Sequence, residues 1–526
     1  MLLPSGFLSV LQFPISPTIR DACTSLTSIT SIPNTRITEA ARYPAGTIIT
    51  TNADITCFTP HQQNSVDMCR VHGVITTSPT SAVDFEMWLP DTWYGRFLVT
   101  GNGGLGGCVD YANLDHGSYL HFATIGTNNG HDGNFNAPAF LMPSKNESVT
   151  NFSHRSIHVA AQVGKNITSI YYGSDPHHSY YDGCSAGGRQ GISAAYHYPD
   201  DFDGVIAGAP GIDWNDLLGA SAIWASHVAF NSCSFIPIHV WETVVTPEIL
   251  KQCDGLDGRV DGMISNPDTC QFNPTTLLCT EEDAEDPSKC LIQAQVDGLR
   301  KFYEPIYDSH RNLLFSRFDP GAEGDLSYRF GMSGVMSPLT EIWYKMAVYG
   351  DPTRSLANFS VADIEYADSV DPVGVSTWEN ALQGLAEFKR KGGKLLTYHG
   401  TRDPMIPSGQ SKRFYQLLAS SLSPPGRRTA EEMDSFYRLF IVPGMGHCYG
   451  GPGAWKFAQG AILGRGTDGI NQTDHSVMLS IVDWVENGNP PGVIIGTDEK
   501  NVVRKHCMWP SSKTVWDGKE WVCQPV

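Results

Sequence analysis

The first 19 residues contain neither Lys nor Arg, and no apolar run in the 526-residue chain is long enough to span a bilayer. Residues 1–20, with an apolar stretch from Phe7 to Phe13 that stops near Pro14, read as an atypical or truncated leader. Basic residues are scarce: 36 Lys and Arg face 55 Asp and Glu, for a net charge of −19. That balance excludes nucleic-acid backbone and anionic membrane as partners held by long-range attraction. Low-complexity tracts and internal repeats are absent too, which leaves an ordinary folded globular protein, 41% hydrophobic and turn-rich with 52 glycines. Its length holds two or three average domains, or one large domain carrying an insertion.

Cysteine is what the chain has in unusual supply. Thirteen cysteines, with Asn-x-Ser/Thr sequons at Asn146, Asn151, Asn166, Asn358 and Asn471, point to an oxidised, glycosylated, secreted and extracellular protein.

The stretch with the most chemical content is Tyr180-Tyr-Asp-Gly-Cys-Ser-Ala-Gly-Gly188, where a β-rich run meets Gly-x-Ser-x-Gly and then a helical pattern from Arg189 to His197. In a nucleophile elbow, Ser185 sits on a strained strand-to-helix turn, and Gly183 and Gly187 give it room. The helix N-terminus then faces the serine, with the Ala186 amide as first donor to an oxyanion. Alone the motif is weak, because Gly and Ser are common; its surroundings must support it.

Those surroundings follow a strand and helix rhythm. Residues 21 to 92 read as strands and loops. Arg96 to Thr100 is a short buried strand running into Gly101-Asn-Gly-Gly-Leu-Gly-Gly107, which lacks the Lys-Ser/Thr of a phosphate loop. It fits the second half of an oxyanion hole, with Gly103 and Gly104 as candidate donors, or else a loop needing positive φ. Further strand patterns at Phe122 to Gly126, Phe202 to Gly208 and Gly393 to His399, separated by helical ones, imply βαβ units. The fold class is α/β, with a mainly parallel sheet. Residues 21–210 and 393–526 form the catalytic domain, and the rhythm is interrupted over 211–392 by an aromatic, cysteine-bearing insertion placed as a lid. Its acidic run Glu281 to Asp286 reads as a solvated loop.

Within the insertion, Cys253-Asp-Gly-Leu-Asp-Gly-Arg-Val-Asp-Gly-Met-Ile264 spaces Asp254, Asp257 and Asp261 among glycine turns. Carboxylates and carbonyls on a tight loop suit a structural Ca²⁺; an Asp-Gly turn cluster fits the same spacing. Cys253 and Cys270 can close this loop. Later, Asp403 follows a strand end, and His447 lies on a glycine-flanked loop after the strand Phe436 to Val442. The order Ser, Asp, His is that of elbow hydrolases. Cys184 precedes the serine and Cys448 follows the histidine, so a bridge between them would hold His447 over Ser185.

GNGGLGG, GCSAGGRQG, CDxxDGxxDG, HGxxD and PGMGHC, in that order, resemble the tannase and fungal feruloyl esterase family of α/β-hydrolases, closest to the feruloyl esterase B type. The resemblance spans nearly the whole chain. It implies a lidded serine esterase with Ser185, Asp403 and His447 as catalytic residues and the Cys184–Cys448 bridge between them. It also implies Ca²⁺ held by Asp254, Asp257 and Asp261 with the carbonyls of Arg259 and Met263. The other implied pairs are Cys23 with Cys69, Cys57 with Cys108, Cys253 with Cys270, Cys279 with Cys290 and Cys507 with Cys523, leaving Cys233 free; spacing alone does not fix connectivity. The substrate implied is a small aromatic ester or feruloylated polysaccharide, acted on by a monomer or homodimer. A gallate-releasing tannase and a catalytically silent polyphenol- or carbohydrate-binding relative are the alternatives. Trp214, Trp224, Trp241, Trp343 and Tyr344 are the rings offered for an aromatic-acid pocket.

Overall fold

The computed structural model describes residues 19–51, 54, 56–57, 61–133, 141, 146–280, 289–324, 331–371, 374–376, 378–422, 429–460 and 472–526. Nearly all of the leader and the whole acidic run Glu281 to Asp286 lie outside them.

An 11-stranded sheet organises the chain. At its centre six strands run parallel, in the order Phe122–Thr127, Arg96–Thr100, His178–Cys184, Gly204–Gly208, Lys394–Gly400 and Tyr437–Val442. Antiparallel strands extend both edges: Ser81–Pro90, Met68–Ser78 and Thr35–Tyr43 on one side, Val503–Trp509 and Val493–Thr497 on the other. The sheet is therefore mixed, parallel only where the site is built. Parallel strands need crossovers, and the helices supplying them cover both faces. Successive side chains of one strand feed opposite layers. Phe97 and Val99 enter the layer under helices Ser156–Tyr172, Ala186–His197 and Ser408–Leu422, whereas Leu98 joins the layer under helix Val477–Asn487.

Ile19–Ser25 is a helix that runs from the end of the expected leader into the stretch expected, from residue 21, to hold strands and loops, and it is fastened to the sheet by Cys23–Cys69. Seven residues are too few to declare helical periodicity in sequence, and tertiary contact decides the matter.

A second apolar core is built almost wholly from residues between Trp214 and Val375, joined by Leu105, Phe152, Ala186 and Ile406 from the sheet side. The insertion is thus seated directly on the loops that carry the site. Helix Trp378–Arg390, inside the span assigned to the insertion, sends Ala381, Leu385 and Phe388 into the first core instead. The sheet's share of the chain resumes there, before Gly393. Among the described residues no helix is long and apolar enough to cross a membrane.

Candidate active site

Ser185 joins strand His178–Cys184 to helix Ala186–His197 at φ 65°, ψ −124°, a conformation a side chain adopts only under constraint. The constraint is visible: its N–H donates to the Gly208 carbonyl at 2.9 Å, and its own carbonyl accepts from Arg189 and Gly211 N–H, both at 3.1 Å. A Cβ on Gly183 would stand 2.8 Å from the Tyr181 hydroxyl, and one on Gly188 would stand 2.4 Å from the Gly208 carbonyl oxygen. At Gly187 the nearest atom would be 3.2 Å away, so Gly188, not Gly187, carries the sharper demand for glycine.

The glycine loop 101–107 is pressed against this elbow. The Asn102 N–H donates to Gln190 Oε1 at 2.9 Å, while its side-chain amide donates to the Thr127 and Cys108 carbonyls. Gln190 in turn donates to Asn129 Oδ1 at 3.0 Å. Gln190, Asn102 and Asn129 therefore fix the height of the loop over Ala186, and the sequence reading missed all three. The signal for Gln190 was its place one turn into the elbow helix. Gly103 borders open space, and Gly104 has φ +58°, which also satisfies the turn reading of that glycine.

Asp403 and His447 leave neighbouring parallel strands, Lys394–Gly400 and Tyr437–Val442. Asp403 is fully buried. Its Oδ1 accepts the N–H groups of Met405 and Ile406, both at 2.9 Å, and its Oδ2 accepts His447 Nδ1 at 2.7 Å. His399, noted in the sequence only as a strand end, places Nε2 3.5 Å from Asp403 Oδ2. That nitrogen donates to the Ile406 carbonyl at 2.8 Å. Burial works to raise the Asp403 pKa, but the charge of His447 and the hydrogen bonds of both imidazoles hold it well below the ordinary carboxylate range. Asp403 is an anion, and His447 spends Nδ1 on it, which leaves Nε2 as the nitrogen for other chemistry.

All six implied disulfides are present, and Cys233 is free and exposed. Cys184–Cys448 brings Cα atoms 264 positions apart to 6.0 Å, which makes Ser185 and His447 chain neighbours of one covalent clamp. A Cys184→Ala/Cys448→Ala double variant, which leaves no stray thiol, should keep its fold yet lose about 100-fold in kcat, the usual cost of roughly 1 Å of misplacement. Steady-state kinetics on protein shown folded by circular dichroism checks this; a kcat equal to wild type would reduce the bridge to a staple.

The loop after Cys253 brings its acids partly together. Asp254 accepts N–H groups from Asp261, Gly262 and Met263 at 3.1, 2.8 and 3.3 Å, and Asp257 accepts from Arg259 N–H and Ser265 Oγ. Asp261 Oδ1 is buried without a hydrogen-bond partner. Burial raises the Asp261 pKa against the pull of Arg504, and Asp257 and Asp254 raise it further. An orphaned carboxylate oxygen beside two further carboxylates has the donor chemistry a Ca²⁺ site uses, while the oxygens of the three acids do not all lie within 4.8 Å of one another. From the loop, Arg259 lies over Trp516 at 4.2 Å, so the loop rests on the hairpin Ser512–Trp516/Trp521–Pro525, and Arg504, itself 3.6 Å from the Trp521 ring, donates to Ser265 Oγ at 2.7 Å.

Among the described residues, the three acids whose oxygens lie within 4.8 Å of one another are Asp213, Asp216 and Asp368, which the sequence reading did not single out. Burial, then mutual repulsion, holds the Asp216 pKa well above the ordinary range, and burial does the same for Asp213. The folded state therefore binds protons that the unfolded chain has released. Their contribution to stability is greatest in acid and falls as pH rises through the ordinary carboxylate range toward the folded pKa. Thermal unfolding at about pH 5 and about pH 8 should show the wild type losing more of its midpoint than Asp216→Asn, which carries one charge fewer; equal losses would overturn this.

Other expectations shift. Trp214, Trp224, Trp241, Trp343 and Tyr344 are all buried in the second core, where Trp241 donates to the Ile236 carbonyl and Trp343 to Asn215 Oδ1. They build the core of the insertion, and the Trp214 ring lies 5.5 Å from the guanidinium of Arg189 on the elbow helix. Asn151 is fully buried, donating to Thr77 and Ser81 and accepting from Arg155, so it carries no glycan in this fold. Asn166 and Asn358 are exposed. Asn146 lies at the start of helix Asn146–Thr150, with its side chain outside the described atoms, and Asn471 lies outside the described residues.

A doubly covered sheet, an elbow serine at the end of its central strand and a buried carboxylate–imidazole pair on the next loops define an α/β-hydrolase, in the class of carboxylic ester hydrolases. Residues 69–318 and 355–524 match the family described as Tannase and feruloyl esterase, and the chain belongs to that family. It is 38% identical over 490 residues to a probable feruloyl esterase B-2 of Aspergillus flavus, covering 90% of this chain and 91% of that protein. A probable feruloyl esterase B of Emericella nidulans is 36% identical over 500 residues, covering 93% and 90%. The crystal structure of feruloyl esterase B from Aspergillus oryzae superposes with a TM-score of 0.89 at 34% identity, covering 96% of this chain and all of that one. Tannin acyl hydrolase from Aspergillus niger, at 21% identity and a TM-score of 0.73, covers 96% and 95% and shares the fold.

Proposed function

We propose that the protein is a secreted serine esterase that hydrolyses feruloyl and related hydroxycinnamoyl esters of plant cell-wall polysaccharide. The observation that carries this is the covalent clamp: the elbow serine and an imidazole already paired to a buried carboxylate at 2.7 Å are tied together through Cys184–Cys448. Its relatives' names supply the acid, and its six disulfides and the exposed Asn166 and Asn358 support export.

Ser185 Oγ attacks the ester carbonyl as His447 Nε2 takes its proton. Asp403, held by two backbone amides, keeps the imidazole in the tautomer with hydrogen on Nδ1 and stabilises its positive charge. The Ala186 amide and one from Gly103 or Gly104 receive the oxyanion, and the Asn102–Gln190 contact keeps that loop in place. His447 protonates the leaving alcohol, and water, activated in the same way, frees the acid. Ca²⁺ would be held by Asp254, Asp257 and Asp261 with the carbonyls of Arg259 and Met263, where it supplies cross-linking of the loop and no chemistry on the ester.

Release of free acid from methyl ferulate and methyl gallate by the purified, calcium-loaded protein tests the reading. Preference for the ferulate supports it and preference for the gallate replaces it with a tannase. Failure to cleave either ester sinks the aromatic-ester assignment.

A further inference from the structure

The cation loop and the two loops bearing Asp403 and His447 meet at one hydroxyl. Thr401 is buried, and its Oγ1 donates to the Ile264 carbonyl at 3.0 Å while accepting the Gly444 N–H at 3.0 Å. Ile264 directly follows Met263, whose N–H is bound to Asp254 and whose carbonyl is one of the proposed ligands. Thr401 stands two residues before Asp403, and Gly444 three before His447. The backbone repeats the connection, with Thr401 N–H on the Val442 carbonyl and Arg402 N–H on the Met445 carbonyl, each at 3.0 Å. Packing agrees as well: a Cβ on Gly444 would come within 2.4 Å of Met263 Sδ, so the base loop and the cation loop touch with nothing between them.

Resting on the esterase reading above, we propose that Thr401 is a positioning residue through which the cation loop sets the placement of Asp403 and His447. A hydroxyl has a single hydrogen. With that hydrogen committed to Ile264, its lone pairs are aimed at Gly444, so any change in the peptide linking Met263 to Ile264 is passed to the turn that leads into His447. Ca²⁺ bound in that loop would then govern the reactivity of Ser185 as well as the stability of the loop, acting through Thr401.

The test compares wild type, Thr401→Val and Thr401→Ser, each in calcium chloride and in EGTA. It reads the rate at which a fluorophosphonate labels Ser185, the low-field NMR signal of the His447 Nδ1 proton, and the thermal midpoint. Thr401→Val should label about tenfold more slowly, with kcat falling in step and KM nearly unchanged, whereas Thr401→Ser, which keeps the hydroxyl, should return to within about twofold of wild type. EGTA should slow labelling of wild type but not of Thr401→Val, while lowering the thermal midpoint of both. Wild-type labelling matched by Thr401→Val, or a Thr401→Ser as slow as Thr401→Val, overturns the proposal and leaves the esterase reading standing. A wild type that is not labelled at all overturns both. If Thr401→Val does not fold, a calcium titration of the wild type decides: labelling rate and the His447 signal must rise together with the thermal midpoint, and a midpoint that rises alone overturns the proposal.

Discussion

Ser185→Ala should lower kcat by about 10⁶-fold, and adding Asp403→Asn to it should cost almost nothing more, because nucleophile, base and acid act as a unit. Single-turnover assays with enzyme in excess over ester measure both. A residual rate within about tenfold of wild type would remove Ser185 from the mechanism. The same position yields a second readout. At φ 65°, ψ −124° the elbow holds a β-carbon in a region where only glycine is at ease, and Ala there is as strained as Ser. Ser185→Gly should therefore be inactive and yet more stable, by ~1–3 kcal/mol if the whole strain is released. Denaturant unfolding of the three proteins should rank Gly above Ser and Ala, and a Gly variant no more stable than Ala would show that the elbow is unstrained.

Asp403→Asn should cost about 10⁴-fold in kcat. The carboxylate is surrounded by donors: two backbone N–H groups on Oδ1, and His447 with His399 nearby on Oδ2. An amide cannot accept on both sides. If its NH₂ faces Oδ2's present partners, it meets the His447 Nδ1–H and the imidazole turns to the tautomer with hydrogen on Nε2, where it is no base for Ser185. If the amide is flipped, its NH₂ meets the Met405 and Ile406 N–H groups instead, and the loop must give way. His399 offers no rescue, since its own Nε2 hydrogen goes to the Ile406 carbonyl. Kinetics of the purified variant, with its circular dichroism unchanged, check this; a loss under about tenfold would mean that the histidine holds its tautomer without the acid.

Sequence made the site legible where local backbone geometry demands particular residues. An elbow needs glycine on both sides of its serine, and a base loop needs turns, so GCSAGG and PGMGHC announce themselves. What it could not show depends on distant partners. Gln190 is an unremarkable helical glutamine until Asn102 arrives beneath it from 88 positions away. His399 was visible only as the end of a strand and Thr401 only as a spacer in HGxxD; the approach of His399 to Asp403 and the hydrogen bond of Thr401 to Ile264 exist only once the loops have met. The five large rings of the insertion are all buried in its core, and size alone says that a side chain will be buried, not against what. The sequon at Asn151 is a three-residue pattern blind to burial.

The separation of 264 positions across the Cys184–Cys448 bridge has a consequence for the nascent chain. At roughly 5–20 residues per second, the serine leaves the ribosome about 13–50 s before the histidine proposed to activate it. A translation product broken off anywhere in that interval carries a nucleophile with neither its base nor its clamp. Half-made copies lack the proposed base, and only a completed chain can bring Ser185, Asp403 and His447 together under the Cys184–Cys448 bridge.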